Sequence, residues 1–201
     1  MAPMQRTIMS QMSPFPANDI CLGFFRDTYE AGHCVFPDGA HVLELGSAEA
    51  DWLTPMKALR PDLHLTGMDQ RYIGERPGAD VLISADILTF CGFQDASFDA
   101  VVAISVLTWA GVGHYGDRQA DGGDSTMMAL ARRWVKPSGW MYLDVPYSAD
   151  GHMQRESVRA YSDESIQDRL LQDKWQIVHR QGFSGDGHKD GPYMAMVVKP
   201  I

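Results

Sequence analysis

Strands and helices alternate along most of this chain, and each early strand stops at a small or acidic residue. AHVLEL runs into Gly46, LHLTGMD ends on Asp69, DVLISAD ends on Asp86, and SFDAVVAIS is the most apolar run of the four. Short β-rich runs separated by helix-length segments bury their faces in a parallel sheet with helices packed on both sides. SFDAVVAIS belongs at the centre of such a sheet, where a strand is covered on both faces. WMYLDVPY is a fifth strand, reached through a helix bearing Met127, Met128, Leu130, Ala131, Trp134 and Val135 and a KPSG turn. The closing runs WQIVHRQGF and YMAMVVKPI flank the turn-rich SGDGHKDG. That spacing makes a hairpin, and a hairpin brings an antiparallel strand into the sheet.

The helix ends are marked as well. Asn18 or Asp19 is positioned to cap a first helix that carries Ile20, Leu22, Phe24, Phe25 and Tyr29 and stops at Gly32. Trp52, Leu53, Met56 and Leu59 have helical spacing before Pro61, with Thr54 as the expected cap so that Pro55 falls in the first turn. Ser162 is the expected cap of a later helix with Ile166, Leu170 and Leu171 on its apolar side. Residues 1–16, rich in Met, Ser and Pro, read as a flexible arm, and residues 17–201 as a single domain.

Charge narrows the function. The net charge is −9, and no Lys/Arg-rich run occurs. Nucleic acid and anionic membrane surfaces both need basic patches, so neither is an expected partner. Small neutral or cationic molecules fit better. The three cysteines, Cys21, Cys34 and Cys91, are far apart and lack any CxxC spacing. Neither a disulfide framework nor a zinc knuckle is expected, and a reducing cytoplasm is the natural compartment. The N-terminal residues lack the pattern of a secretory signal, and no run approaches membrane-spanning length.

The strand order and the acids at the strand ends together resemble the class I S-adenosylmethionine-dependent methyltransferases. That family carries an acidic-x-Gly-x-Gly-x-Gly stretch after its first strand, and the frame here falls on Glu44, Gly46, Ala48 and Ala50. One glycine remains and two are alanine, so room is preserved while positive φ is confined to Gly46. Taken alone, the stretch fits a plain strand-to-helix turn equally well. The resemblance implies a Rossmann-like α/β three-layer sandwich: a mostly parallel seven-stranded sheet with an antiparallel C-terminal strand. It also implies S-adenosyl-L-methionine as cofactor. Glu44, Gly46, Ser47 and Ala48 would form the first loop. Asp69 would meet the ribose, Asp86 and Ile87 the adenine, and Gln70 and Ser105 would also contact the cofactor. Three acids at three successive strand ends carry more weight than any one of them.

A narrower resemblance lies in GVGHYGD, ADGGD, VPY and VRAYS. A little-characterised methyltransferase-like group, seen among glycan- and surface-polymer-related proteins, has a similar loop and a later Arg-x-Tyr-Ser. The chain departs from it at His114, where that group is expected to carry arginine.

Methyl transfer is an in-line displacement, governed by alignment, and a hydroxyl acceptor gains from a base. His114 is the base candidate because imidazole titrates near neutrality, and Asp117 is placed to orient it or to hold substrate. Solvated loop residues are the plainer reading of both. Asp117, Asp121 and Asp124 raise the option of a metal, but their spacing fits no calcium loop and none is expected. SVLTW stands where base-amine methyltransferases carry Pro-Pro-aromatic. The acceptor expected is therefore a small molecule or saccharide, methylated at oxygen, with no nucleic acid or membrane partner. The alternative is a catalytically inactive module that binds the cofactor or a partner. A short NAD-dependent reductase would need Gly-x-Gly-x-x-Gly and Tyr-x-x-x-Lys, and both are missing.

Overall fold

The computed structural model describes residues 14–15, 19–48, 51–71, 74–116, 118–150, 153–155, 158–184 and 192–201. Its main sheet contains β1 (His41–Leu45), β2 (His64–Asp69), β3 (Val81–Ser84), β4 (Phe98–Ala103), β5 (Val135–Pro146), β8 (Trp175–Phe183) and β9 (Tyr193–Pro200). They lie in the order β3-β2-β1-β4-β5-β9-β8. β1 to β5 are mutually parallel, and β9 runs antiparallel between β5 and β8. The sheet is the one expected from the strand pattern, including the closing hairpin.

Alternation along the central strands builds two cores. Ala100, Val102 and Ile104 of the β4 segment, with Trp140 and Tyr142 of β5, pack on α1 (Ile20–Glu30) and α2 (Leu53–Leu59). Val101 and Ala103, with Met141, Leu143 and Val145, face α3 (Gly123–Trp134) and the later helix. A period of two sends successive side chains to opposite faces, so the apolar residues of the middle strands divide between the two cores. The result is three layers.

Asp19 caps α1 by accepting from the Leu22 N–H at 2.9 Å, as its position requires. α2 differs from expectation. Thr54 lies inside the helix, and its N–H is taken by the Asp51 carboxylate at 3.1 Å, so Asp51 supplies the acceptor while Pro55 stays in the first turn. Lys136–Gly139 is not a separate turn either. It is an irregularity within β5, which pairs Val135 with Phe98 and Trp140 with Ala100. Ser162 caps α4 (Asp163–Ser165) through a reciprocal pair with Ser165, and the helix widens into a π-helical stretch over Ile166–Leu171. One element had no sequence signal: β6 (Met153–Arg155) and β7 (Val158–Ala160) form a separate small hairpin. Most of the expected N-terminal arm lies outside the described residues, but Phe15 is buried and packs edge-on against Phe25. Among the described residues no helix is long and apolar enough to cross a membrane.

Candidate functional site

A cleft of about 270 Å³ opens at the C-terminal ends of β1, β2 and β4, on the edge where α/β sheets bind ligands. Gly46, Asp69, Gln70, Asp86, Ile87 and Ser105 are all on its wall. α1 contributes Asp19 and Cys21, and the segment after β4 contributes Val106, Trp109, Gly111 and Tyr115.

Gly46 makes the strand-to-helix turn with φ +82°, and a Cβ there would meet the Val106 side chain at 2.6 Å. Its N–H donates to the Met68 carbonyl at 2.8 Å, which ties the turn to β2. Ser47 and Glu44 do not line the cleft. Ser47 is fully buried; its hydroxyl accepts from the Met68 N–H at 3.1 Å and donates to the Glu44 carbonyl at 3.3 Å. Glu44 is 1% exposed, so it stands behind the turn and not at the rim with the other two acids. Ala48 acts through its backbone, donating to Asp69 Oδ2 at 3.1 Å. Ala50 lies outside the described residues.

Burial pushes the Glu44 carboxyl from its ordinary 4.5 up to about 8, and its Oε2 has no hydrogen-bond partner among the described residues. The folded protein thus keeps a proton that the unfolded chain releases, so stability falls as pH rises through the interval between those values. Glu44→Gln is expected to remove this slope and to gain on the order of 4 kcal/mol over wild type at pH 8, with little difference at pH 4. Denaturant titrations at both pH values check this. Equal midpoint shifts at the two would mean that folding leaves the Glu44 carboxyl unshifted.

Asp69 is heavily bonded on this wall. Oδ1 accepts from the Arg71 N–H at 2.9 Å and Nε at 3.0 Å, and Oδ2 from the Ala48 N–H at 3.1 Å and an Arg71 terminal nitrogen at 3.0 Å. A carboxylate has about four acceptor directions, and all are engaged. The Arg71 guanidinium also lies 3.9 Å above the Tyr115 ring. Gln70 donates its side-chain amide to the Tyr115 carbonyl at 3.1 Å, binding β2's end to the same loop. Asp86 comes two residues after β3 stops, and its Oδ1 accepts from the Leu88 N–H at 2.9 Å. That bond fixes the turn that puts Ile87 on the wall.

Ser105 is in the left-handed region, with φ +50°. A non-glycine residue there costs about 1–2 kcal/mol, and a specific partner holds it. Asp144 Oδ1 accepts from both its N–H at 3.0 Å and its hydroxyl at 2.7 Å. The Cys21 sulfur is 3.0 Å from the same hydroxyl. Asp144 went unnoticed in the sequence, although an acid inside the apolar run YLDVP was a legible sign of a buried polar contact.

The catalytic candidates are less central. His114 is exposed and outside the wall, with its ring 4.6 Å from Trp109. Asp117 lies outside the described residues. Asp124 is fully buried and already engaged: it accepts from the Tyr161 hydroxyl at 2.9 Å and twice from Arg169 at 2.9 Å. Tyr161 and Arg159 are the residues of the VRAYS element, and their work is architectural. Arg159, 1% exposed, donates to the Ala110 carbonyl and, at 3.3 Å, to the Ala120 and Asp121 carbonyls. Thr108 links to its backbone at 2.7 and 3.0 Å. Gly111, at φ +75°, lets the loop close, since a Cβ would strike the Ala120 carbonyl at 2.3 Å. The sequence elements that looked functional therefore hold the loop that forms one side of the cleft.

No curated protein matches the sequence. Solved structures match over nearly the whole chain. The N-methyltransferase NodS from Bradyrhizobium japonicum, with S-adenosyl-L-homocysteine, has a TM-score of 0.64 at 16% identity, covering 95% of this chain and 93% of that one. The 1,6-didemethyltoxoflavin-N1-methyltransferase of Burkholderia thailandensis has a TM-score of 0.59 at 16% identity, with 90% and 88% covered. Coclaurine N-methyltransferase has a TM-score of 0.63 at 11% identity, with 89% and 72% covered. The fold is that of the class I S-adenosylmethionine-dependent methyltransferases. A family model described as "Caenorhabditis protein of unknown function, DUF268" matches residues 83–184, half of the chain, from β3 to the end of β8 and including Asp144, Arg159 and Tyr161. The chain belongs to that family.

Proposed function

We propose that the protein is a methyltransferase that binds S-adenosyl-L-methionine in this cleft and methylates a small-molecule or saccharide acceptor at oxygen. The observation that carries the reading is that Asp69 and the Asp86–Ile87 pair share one wall, beyond adjacent strands. A carboxylate suits a ribose diol, and an acid beside an apolar side chain suits an adenine. When bound, the cofactor supplies an electrophilic methyl on a sulfonium.

The chain's own groups fit that ligand with one adjustment. Because the Arg71 guanidinium fills two acceptor positions on Asp69, it must leave for ribose hydroxyls to enter, while the Ala48 and Arg71 backbone bonds can stay. Ser105 and Cys21 stand at the other end, and the Trp109 ring, with the Tyr115 ring once Arg71 leaves its face, borders the space for an acceptor. His114, proposed to accept the proton of a hydroxyl with Asp117 beside it, would have to act from the mouth of the cleft. Full turnover in His114→Ala would remove it from that role.

A nitrogen acceptor is the second reading. Its support is the acidic wall, with Asp19, Asp69 and Asp86 against Arg71 alone, and the names of the three N-methyltransferases of like fold.

Thermal unfolding with S-adenosylmethionine or S-adenosylhomocysteine tests the binding step. A ligand at a hundred times its Kd is expected to add about 2.7 kcal/mol of stability. No shift with either at millimolar concentration would overturn the proposal. Mass spectrometry of products from hydroxyl and amine panels then separates the two acceptor readings.

A further inference from the structure

The deepest feature of the cleft lies one side chain behind its wall. Asp144 is fully buried on β5; the N–H and hydroxyl of Ser105 donate to its Oδ1, and the Tyr142 hydroxyl acts on its carboxyl from the same strand. Oδ2 and the Tyr142 hydroxyl, two residues earlier on the same face, interact with each other without the geometry of a full hydrogen bond, and neither has another partner among the described residues. An ionised carboxylate in a core, held by hydroxyls and one N–H alone, is costly unless a positive charge stands near it. The described groups that act most strongly on it, Ser105, Tyr142 and Asp19, include no Lys, Arg or His. α1 turns Asp19 and Cys21 toward this region, β4 gives Val102 and Ile104, β9 gives Tyr193 and Ala195, and Tyr142 shares the strand. The nearest opening is the cleft, across the Ser105 hydroxyl, and Ser105 is kept in a left-handed conformation to bridge the two.

We propose that Asp144 is a protonatable counter-charge for the cleft, ionised when a sulfonium is bound against Ser105 and protonated when a neutral thioether replaces it. This rests on the reading of the cleft as a S-adenosylmethionine site. Its consequence is selectivity between donor and spent product. The two ligands share the adenosine and amino-acid parts and differ in one methyl and one positive charge. Transfer removes that charge, a proton returns to Asp144, and the neutral product loses the attraction that favoured the donor. Burial pushes the Asp144 carboxyl up to about 7, against the pull of the Ser105 bonds and the Tyr142 hydroxyl, so both protonation states are accessible near neutrality. Asp19 and Asp69 on the wall also attract a cation, and they set the part of the preference that does not depend on Asp144.

The sign of the pH effect follows. Below about pH 6 Asp144 is protonated and contributes nothing to the preference. As pH rises through 7 it ionises, and the ratio of S-adenosylmethionine to S-adenosylhomocysteine affinity increases. Unit charges one hydroxyl apart at an effective dielectric of about 20 couple strongly enough for roughly a tenfold change in that ratio.

Isothermal titration calorimetry of the whole chain with each ligand, at pH 7 in two buffers of different ionisation enthalpy, tests this without any acceptor. The expected result is that S-adenosylmethionine binding releases several tenths of a proton more than S-adenosylhomocysteine binding. Asp144→Asn, which keeps the shape and can still accept from Ser105, is expected to abolish the difference and to lower the affinity ratio about tenfold. The wild-type proton count alone decides the matter if that variant does not fold. Equal proton release for the two ligands overturns the proposal while leaving the cofactor site standing. Failure of either ligand to bind wild type overturns the cofactor reading, and this inference with it.

Discussion

Arg159→Met is expected to lower the melting temperature by roughly 6–12 °C. The guanidinium is buried and holds the Ala110, Ala120 and Asp121 carbonyls, so its removal strands three acceptors on the loop over the cleft. Breaking a buried charged network costs about 3 kcal/mol, and each kcal/mol moves the midpoint of a chain this size by about 2–4 °C. The loss has a spatial signature. Backbone amides of residues 110–121 should exchange faster with deuterium, while β1 and β4 remain protected. Arg159→Lys keeps the charge but lacks the fork needed to reach three carbonyls, and should recover only part of the stability. Unchanged melting in Arg159→Met would mean that the loop is held by its own turns.

Asp69→Asn is expected to weaken S-adenosylmethionine binding about a hundredfold. Replacing a carboxylate that would accept two ribose hydroxyls removes charge-assisted bonds worth about 1.5–3 kcal/mol each in comparable settings. The substitution also releases Arg71 from its pair, so some folding stability goes with it. Calorimetry separates the two effects, since binding affinity is read on the folded fraction and stability on the unfolding curve. Asp69→Asn with wild-type affinity would remove the ribose from this position.

The layout of the sheet was open to view in the sequence, and much of the site was not. Runs such as SFDAVVAIS and YMAMVVKPI declare themselves because burial on both faces forbids polar side chains. The wall residues Gly46, Asp69, Asp86 and Ile87 could be named in advance because a strand's end fixes their position relative to the sheet edge. Glu44 follows the same rule of position yet points into the core, since side-chain direction depends on strand parity and the turn taken by Gly46. Arg71 was invisible: its pairing with Asp69 is a choice among side-chain conformers that spacing does not encode. Asp144 and Arg159 act across 39 and 49 residues of chain, on Ser105 and Ala110, and such long-range pairs leave no periodic trace. The β6–β7 hairpin, three residues per strand, is too short for alternation to register.

The central claim is that the edge of the sheet near Asp69 and Asp86 holds an adenosyl group. A crystal structure with S-adenosylhomocysteine tests it most directly. The account predicts ribose hydroxyls on the Asp69 carboxylate, the Arg71 guanidinium moved away from it, and the adenine beside Asp86 and Ile87. Ligand density elsewhere on the molecule, or an Arg71–Asp69 pair left whole with the ligand bound, would contradict it.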